Sequence, residues 1–337
     1  MAFLTNPEPQ PKPDQAELSF ISLNPSGRTT LLLIHGAFSS PKDWIPLIEQ
    51  LLPPHLITNP DPTSAAPRED SNDASAGSQE ASPLLNDHGG DEDADASTSL
   101  LPSNAAINSH ADYYHILVPS LPLHSTSSHI GPLTIPYTTA LLASLVTQHA
   151  KNGQAHVIGL SLGAHIASAL ASSHPELVSS LFVSGFNIFP RKVFTPILPA
   201  ALFVLHGLEA LVMAPREEVG TWKRWVTGAE SPGVRYRSCE GVIGMLFSDR
   251  ELGRIDERIK VLVVAATLER WVPKDRVDDA RRLFHAAVGG SASGSGSRVV
   301  QHTGLGHPWP VDEPELMGKV VRAWVEKGEV VEGFEDL

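Results

Sequence analysis

Cysteine is nearly absent. Cys239 is the one thiol in 337 residues, so no disulfide can form within the chain. A reducing compartment is the natural expectation, and cytoplasm is the default localisation. Basic residues are also scarce, with 25 Lys and Arg against 38 Asp and Glu and a formal net charge of -13. No basic stripe is visible, which argues against nucleic acid as a partner. An apolar leader is missing as well: Met1 to Gln15 is Pro-rich and polar, unlike a signal peptide. Uninterrupted apolar runs of membrane-spanning length are lacking. The nearest, Val193 to Ala214, is broken by Pro196, Pro199, His206 and Glu209.

What the chain does have is Ala155-His156-Val157-Ile158-Gly159-Leu160-Ser161-Leu162-Gly163, followed by Ala164-His165-Ile166-Ala167. This reads as a short apolar strand, a tight Gly-x-Ser-x-Gly turn and a helix rich in small residues. A nucleophilic serine at the tip of a strand-to-helix turn has this form. The flanking glycines let the backbone bend and let neighbouring elements approach closely. A serine hydroxyl is a weak nucleophile alone. It needs a base for its proton and N–H groups for the oxyanion that its attack creates.

The surrounding pattern alternates strand and helix. Thr29 to Ile34 is a continuous apolar run, as suits a strand covered on both faces. Ser40-Pro41 opens a helix that continues through Leu52. Strands are expected at Leu18 to Leu23, Tyr113 to Pro119, Leu177 to Ser184, Lys260 to Ala266 and Arg298 to His302. Helices are expected at Ile135 to Ala150, Leu162 to Ser172, Lys274 to Val288 and Glu313 to Lys327. The expected fold class is therefore α/β, a mostly parallel sheet flanked by helices.

Two stretches break the alternation. Residues 53–111 are dense in Ser, Asp, Ala, Asn, Pro and Gly and read as a disordered acidic insertion. Residues 60–110 alone hold ten acids and one base, so 10 − 1 = 9 of the 13 net negative charges lie there. Residues 186–253 have Pro breaks and long apolar stretches but no strand pattern.

Chemistry in an open parallel sheet gathers at the carboxyl ends of strands. The turn His35-Gly36-Ala37-Phe38 ends a buried strand. Its N–H groups, Ala37 first and Phe38 as the other candidate, are placed to join that of Leu162 around an oxyanion. His307, in a Gly-x-Gly-His-Pro turn after the last strand, is the candidate base. The acid that orients it should follow the strand ending at Ala266. Glu269 is favoured. Asp275 is the competitor, disfavoured because it falls beyond Pro273, where an acid in a first helical turn serves the helix dipole.

Taken in order, Leu33-Ile34-His35-Gly36-Ala37-Phe38, Gly159-Leu160-Ser161-Leu162-Gly163, Ala266-Thr267-Leu268-Glu269-Arg270-Trp271-Val272-Pro273 and Gly304-Leu305-Gly306-His307-Pro308 make the chain resemble the α/β-hydrolase superfamily from about residue 29 to 327. There are two departures. Glu269 stands where the family often has Asp. Pro122-Leu123-His124-Ser125-Thr126-Ser127 lacks the glycines of the usual Pro-Gly-His-Gly loop. The resemblance implies a tail (1–16), a core (17–185 and 254–330) interrupted by the acidic insertion (53–111), and a helical cap (186–253).

It also implies a serine hydrolase with Ser161 as nucleophile, His307 as base and Glu269 as acid, needing no metal or cofactor. The expected substrate is a small-to-medium apolar ester, thioester, lactone or amide. The same constellation serves C–C hydrolysis, acyl transfer or cyclisation in small-molecule biosynthesis. A non-catalytic binding protein on this scaffold is the third reading. A lid touching a membrane surface is a further alternative for 186–253, and oligomeric state is open.

Overall fold

A computed structural model describes residues 16–57, 113–213, 234–248, 251–270, 273–289 and 296–337, with 208–213 described as backbone only. The expected tail up to Gln15, nearly all of the acidic insertion, residues 214–233 and 249–250 of the expected cap, Trp271 and Val272 lie outside these residues.

Eight strands form one sheet: β1 (Phe20–Leu23), β2 (Thr30–Ile34), β3 (His115–Pro119), β4 (Ala155–Leu160), β5 (Val178–Ser184), β6 (Lys260–Ala266), β7 (Arg298–His302) and β8 (Glu335–Asp336). Their spatial order is β1-β3-β2-β4-β5-β6-β7-β8. The six inner strands are parallel, and each edge strand is antiparallel to its neighbour. The helices among the described residues are α1 (Ile45–Leu51, entered through a 3-10 turn at Pro41–Trp44), α2 (Pro54–Ile57), α3 (Ile135–His149), α4 (Leu162–Ser173), α5 (Leu198–Met213), α6 (Tyr236–Leu246), α7 (Val277–Val288), α8 (Trp309–Asp312) and α9 (Pro314–Lys327).

The inner strands are apolar along their whole length because each face is covered. In β6, Val261, Val263 and Ala265 point to a layer built with Leu142 and Val146 of α3, Ile166 and Leu170 of α4, and Leu283 of α7. Leu262, Val264 and Ala266 point to the opposite layer, with Leu47 and Leu51 of α1 and Val320 and Trp324 of α9. Two buried faces explain runs that do not alternate with polar residues.

Three boundaries move. The core extends past residue 52, because α2 tucks Leu56 into the α1/α9 layer. It also extends past residue 330. Asp336 pairs with Val300 and takes a forked ion pair from Arg298, at 2.7 to 2.9 Å. Finally, α7 begins at Val277, so Asp275 lies ahead of the helix. The segment between β5 and β6 carries α5 and α6, which lie against each other, and α6 also meets α4.

Candidate active site

Ser161 follows the last residue of β4 and caps α4 with φ 55° and ψ −115°. That conformation is uncommon for a residue with a Cβ and stores strain on the order of 1–3 kcal/mol. The flanking glycines are sterically required. A Cβ at Gly159 would strike the carbonyl oxygen of Gly163, and one at Gly163 would strike that of Ile34. Strand β2 therefore presses directly against the first turn of α4. The Ser161 N–H donates to the Ser184 carbonyl at 2.9 Å, tying the turn to the end of β5.

His307 sits on the loop between β7 and α8, its side chain 13% exposed. Its Nδ1–H donates to Asp275 Oδ1 at 2.6 Å. Asp275 is buried, and its Oδ2 accepts the Ala266 N–H at 2.8 Å while its own N–H donates to the Ala266 carbonyl at 2.9 Å. The chain thus leaves β6 at Thr267 and returns so that Asp275 pairs with the end of the strand it left. Glu269, expected as the acid, is on the outside of that excursion. Its side chain is 71% exposed and lies 3.8 Å from Lys274. Asp275, not Glu269, meets the histidine, because the helix starts three residues later than its sequence pattern predicts and leaves Asp275 ahead of it, paired with the end of β6.

Gly185 packs between serine and histidine. At φ +74°, a Cβ there would lie 2.7 Å from His307 Cε1 and 3.3 Å from the Ser161 nitrogen. One residue earlier, the Ser184 hydroxyl accepts the Trp309 indole N–H at 2.8 Å. Ser184 therefore holds the serine turn through its carbonyl and the histidine loop through its side chain. Neither residue stood out in the sequence. The available signal was a Ser-Gly pair at the C-terminal end of a strand flanking the serine turn.

The two oxyanion candidates after β2 separate cleanly. The Phe38 N–H donates to His124 Nε2 at 3.1 Å. The Ala37 and Leu162 N–H groups, by contrast, donate to no acceptor among the described residues. Leu162 opens α4, whose dipole places partial positive charge there. A reciprocal histidine pair fixes the loop. His35 accepts the Leu121 N–H at 3.1 Å and donates to the Gly36 carbonyl at 2.8 Å; His124 accepts from Phe38 and donates to the Pro122 carbonyl at 2.9 Å. Each ring thus reaches the loop that carries the other. Burial, reinforced by His124, lowers the His35 pKa to about 3, and burial also lowers that of His124. Both rings stay neutral, as their roles as acceptors at Nε2 require.

A groove of about 820 Å³ runs between the loop after β3 and α6, lined by Leu123, Leu133, Ile135 and Met245 with Arg235 and Arg237 at its rim. A smaller hollow of about 210 Å³ lies against Phe38 and His124, and Leu123 belongs to both. Ser161 and His307 line neither, whereas Phe38, next to Ala37, lines the smaller one.

The sequence model of the alpha/beta hydrolase family matches residues 88–319. An AB hydrolase superfamily protein of Gibberella zeae is 42% identical over 248 residues, spanning 74% of this chain and 81% of that relative. The chain belongs to the alpha/beta hydrolase family. Solved structures agree on this hydrolase's fold. An esterase from Thermogutta terrifontis superposes with a TM-score of 0.55 at 16% identity, covering 92% of this chain and 93% of its own. An esterase from Exiguobacterium antarcticum gives 0.53 at 13% identity, with 89% and 93% covered. An enol-lactonase from Burkholderia xenovorans gives 0.51 at 15% identity, with 89% and 92% covered. At such identities the likeness speaks for the fold. Strand β2 and its Ala37 turn precede the matched span, so their place beside Ser161 comes from the structure alone. No helix among the described residues is long and apolar enough to cross a membrane.

Proposed function

We propose that this hydrolase cleaves carboxylic esters of small-to-medium apolar acids through an acyl-enzyme on Ser161. The observation that carries the reading is the 2.6 Å bond from His307 Nδ1 to the buried Asp275, with the same ring held against Gly185 beside Ser161. A ring whose Nδ1 keeps its proton presents Nε2 as a base.

The steps follow. Ser161 Oγ attacks the ester carbonyl carbon as His307 Nε2 takes its proton. The carbonyl oxygen becomes an oxyanion facing the N–H groups of Ala37 and Leu162, each donor contributing on the order of 3 kcal/mol to the transition state. The intermediate collapses, the C–O bond to the alcohol breaks, and His307 returns the proton to the departing oxygen. Water, deprotonated by His307, then attacks the acyl-enzyme and releases the acid and free Ser161. Asp275 holds the ring and offsets its positive charge while the proton is on it. The apolar lining of Leu123, Leu133, Ile135 and Met245 supports an aliphatic or aromatic acyl group.

The test is labelling with a fluorophosphonate, and turnover of p-nitrophenyl esters from acetate to decanoate, by wild type and Ser161→Ala. Wild type should label and turn over, and the variant should do neither. Equal labelling of both would overturn the assignment. Labelling without turnover of any ester would turn the reading toward acyl transfer or C–C bond cleavage on the same serine.

A further inference from the structure

Among the described residues, most of the exposed large apolar side chains lie in one segment. Val193 is 89% exposed, Phe194 71%, Ile197 61%, Phe203 41%, Val204 58% and Leu205 60%. Ile197, Ala201 and Val204 follow one another at helical spacing on an outward stripe where a helix facing water would carry charge. Elsewhere α5 lies against α6, and its His206 ring is 4.5 Å from Phe38 on the oxyanion loop. Phe203 is braced against Tyr236 of α6.

We propose that residues 193–205 form a docking surface for an anionic lipid bilayer, lying in the interface with α5 parallel to the membrane plane. The charge pattern selects this occupant. From Pro190 to His206 there is no acid, while Arg191 and Lys192, both exposed, immediately precede the two most exposed apolar residues. Cations beside apolar side chains suit a negatively charged headgroup layer with acyl chains beneath it. The chain as a whole is acidic, but 9 of its 13 net negative charges fall in residues 60–110, away from this segment in sequence. Length sets the orientation. The 16 residues of α5 extend about 24 Å, short of the roughly 30 Å of hydrocarbon a spanning helix must cross. Docking here would bring the loop carrying Ala37 close to the lipid phase through the Phe38–His206 contact. The proposal stands apart from the catalytic reading, since surface binding needs no serine chemistry.

The experiment is co-sedimentation of the full chain with extruded vesicles of phosphatidylcholine alone and of phosphatidylcholine with 30% phosphatidylserine. Wild type and Ser161→Ala should pellet equally with the anionic vesicles, at least tenfold less with the neutral ones, and less as salt is raised. Val193→Asp and Phe194→Asp should each lower anionic-vesicle binding at least tenfold, while their circular dichroism and p-nitrophenyl acetate turnover match wild type. Val193 lies in a turn ahead of α5 and touches no catalytic group, so it tests the surface even if Phe194→Asp folds poorly. Absence of wild-type sedimentation with anionic vesicles, or unchanged binding by Val193→Asp, would overturn the proposal. So would light scattering that finds a dimer which Phe194→Asp splits, since a second copy of the chain would then be the occupant.

Discussion

Replacing Asp275 by Asn separates the two acids near the end of β6. The carboxylate faces donors on both oxygens: the His307 Nδ1–H at 2.6 Å and the Ala266 N–H at 2.8 Å. An Asn side chain has one acceptor oxygen and one donor NH2. If its oxygen stays with Ala266, the NH2 points at Nδ1, which must then give up its proton. The proton moves to Nε2, and the ring presents the wrong atom to Ser161. If instead the oxygen faces Nδ1–H, two donors meet at Ala266, which leaves a buried N–H unpaired at about 1–3 kcal/mol. The first arrangement is therefore favoured. Under the proposed mechanism, loss of the correct tautomer and of the negative charge should lower kcat by roughly ten-thousandfold, or about 5.5 kcal/mol of transition-state stabilisation. Glu269→Gln removes only an exposed ion pair with Lys274, worth about 0–1 kcal/mol to stability, and turnover should stay within twofold. The assay is kcat and KM on p-nitrophenyl butyrate for both variants, with urea unfolding to show that each is folded. If Asp275→Asn retains more than a tenth of wild-type kcat, or Glu269→Gln loses more than tenfold, the reasoning is refuted.

Gly185→Ala should fold yet lose on the order of a hundredfold in kcat, because its Cβ would sit 2.7 Å from His307 Cε1 and push the ring away; activity within threefold of wild type would contradict the packing. Ser184→Ala strips the buried Trp309 indole of its acceptor and should cost about 1–3 kcal/mol in urea unfolding, whereas a change under 0.5 kcal/mol would show that the bond is dispensable. His35 titrates at about 3 in the folded chain, below its ordinary value, so the unfolded chain binds more protons. Its contribution to stability is complete above about pH 6.5 and declines as pH falls toward 3, by about 2 kcal/mol between pH 7 and 5. His35→Gln, which has no proton to gain, should show a correspondingly shallower pH dependence of the urea midpoint, and an unchanged slope would refute the assignment.

The sheet was legible because its runs are long, apolar and regularly interrupted by helices. The turns that carry Ser161 and His307 were legible because glycines mark them. The carboxylate that meets His307 was not. Glu269 lies at the more familiar distance from Ala266, and nothing in the sequence reveals that the chain doubles back so that Asp275 pairs with Ala266. A helix beginning at Lys274 would have turned Asp275 outward; its start at Val277 is set by tertiary contacts, including the Arg276 N–H donating to Asn187. Ala37 was ranked ahead of Phe38, but the acceptor that separates them, His124, is 86 residues away and was not visible in the sequence. Residues 335–336 form too short a strand to show periodicity.

Five neighbouring strands each deliver one part of the site: β2 the Ala37 turn, β4 Ser161, β5 the Ser184-Gly185 pair, β6 the pairing edge for Asp275, and β7 the loop bearing His307. This has a consequence for how the molecule comes into being. The β6–β7 pairing joins consecutive elements across one helix, whereas β2 must find β4 across the acidic insertion, so loop-closure entropy weighs more heavily on the β2–β4 pairing. A nascent chain that has not emerged past β7 carries the Ser161 turn without His307, and under the proposed mechanism would have no base. Recovery of turnover after dilution from denaturant should then report completion of the whole sheet, and should lag the return of helical signal.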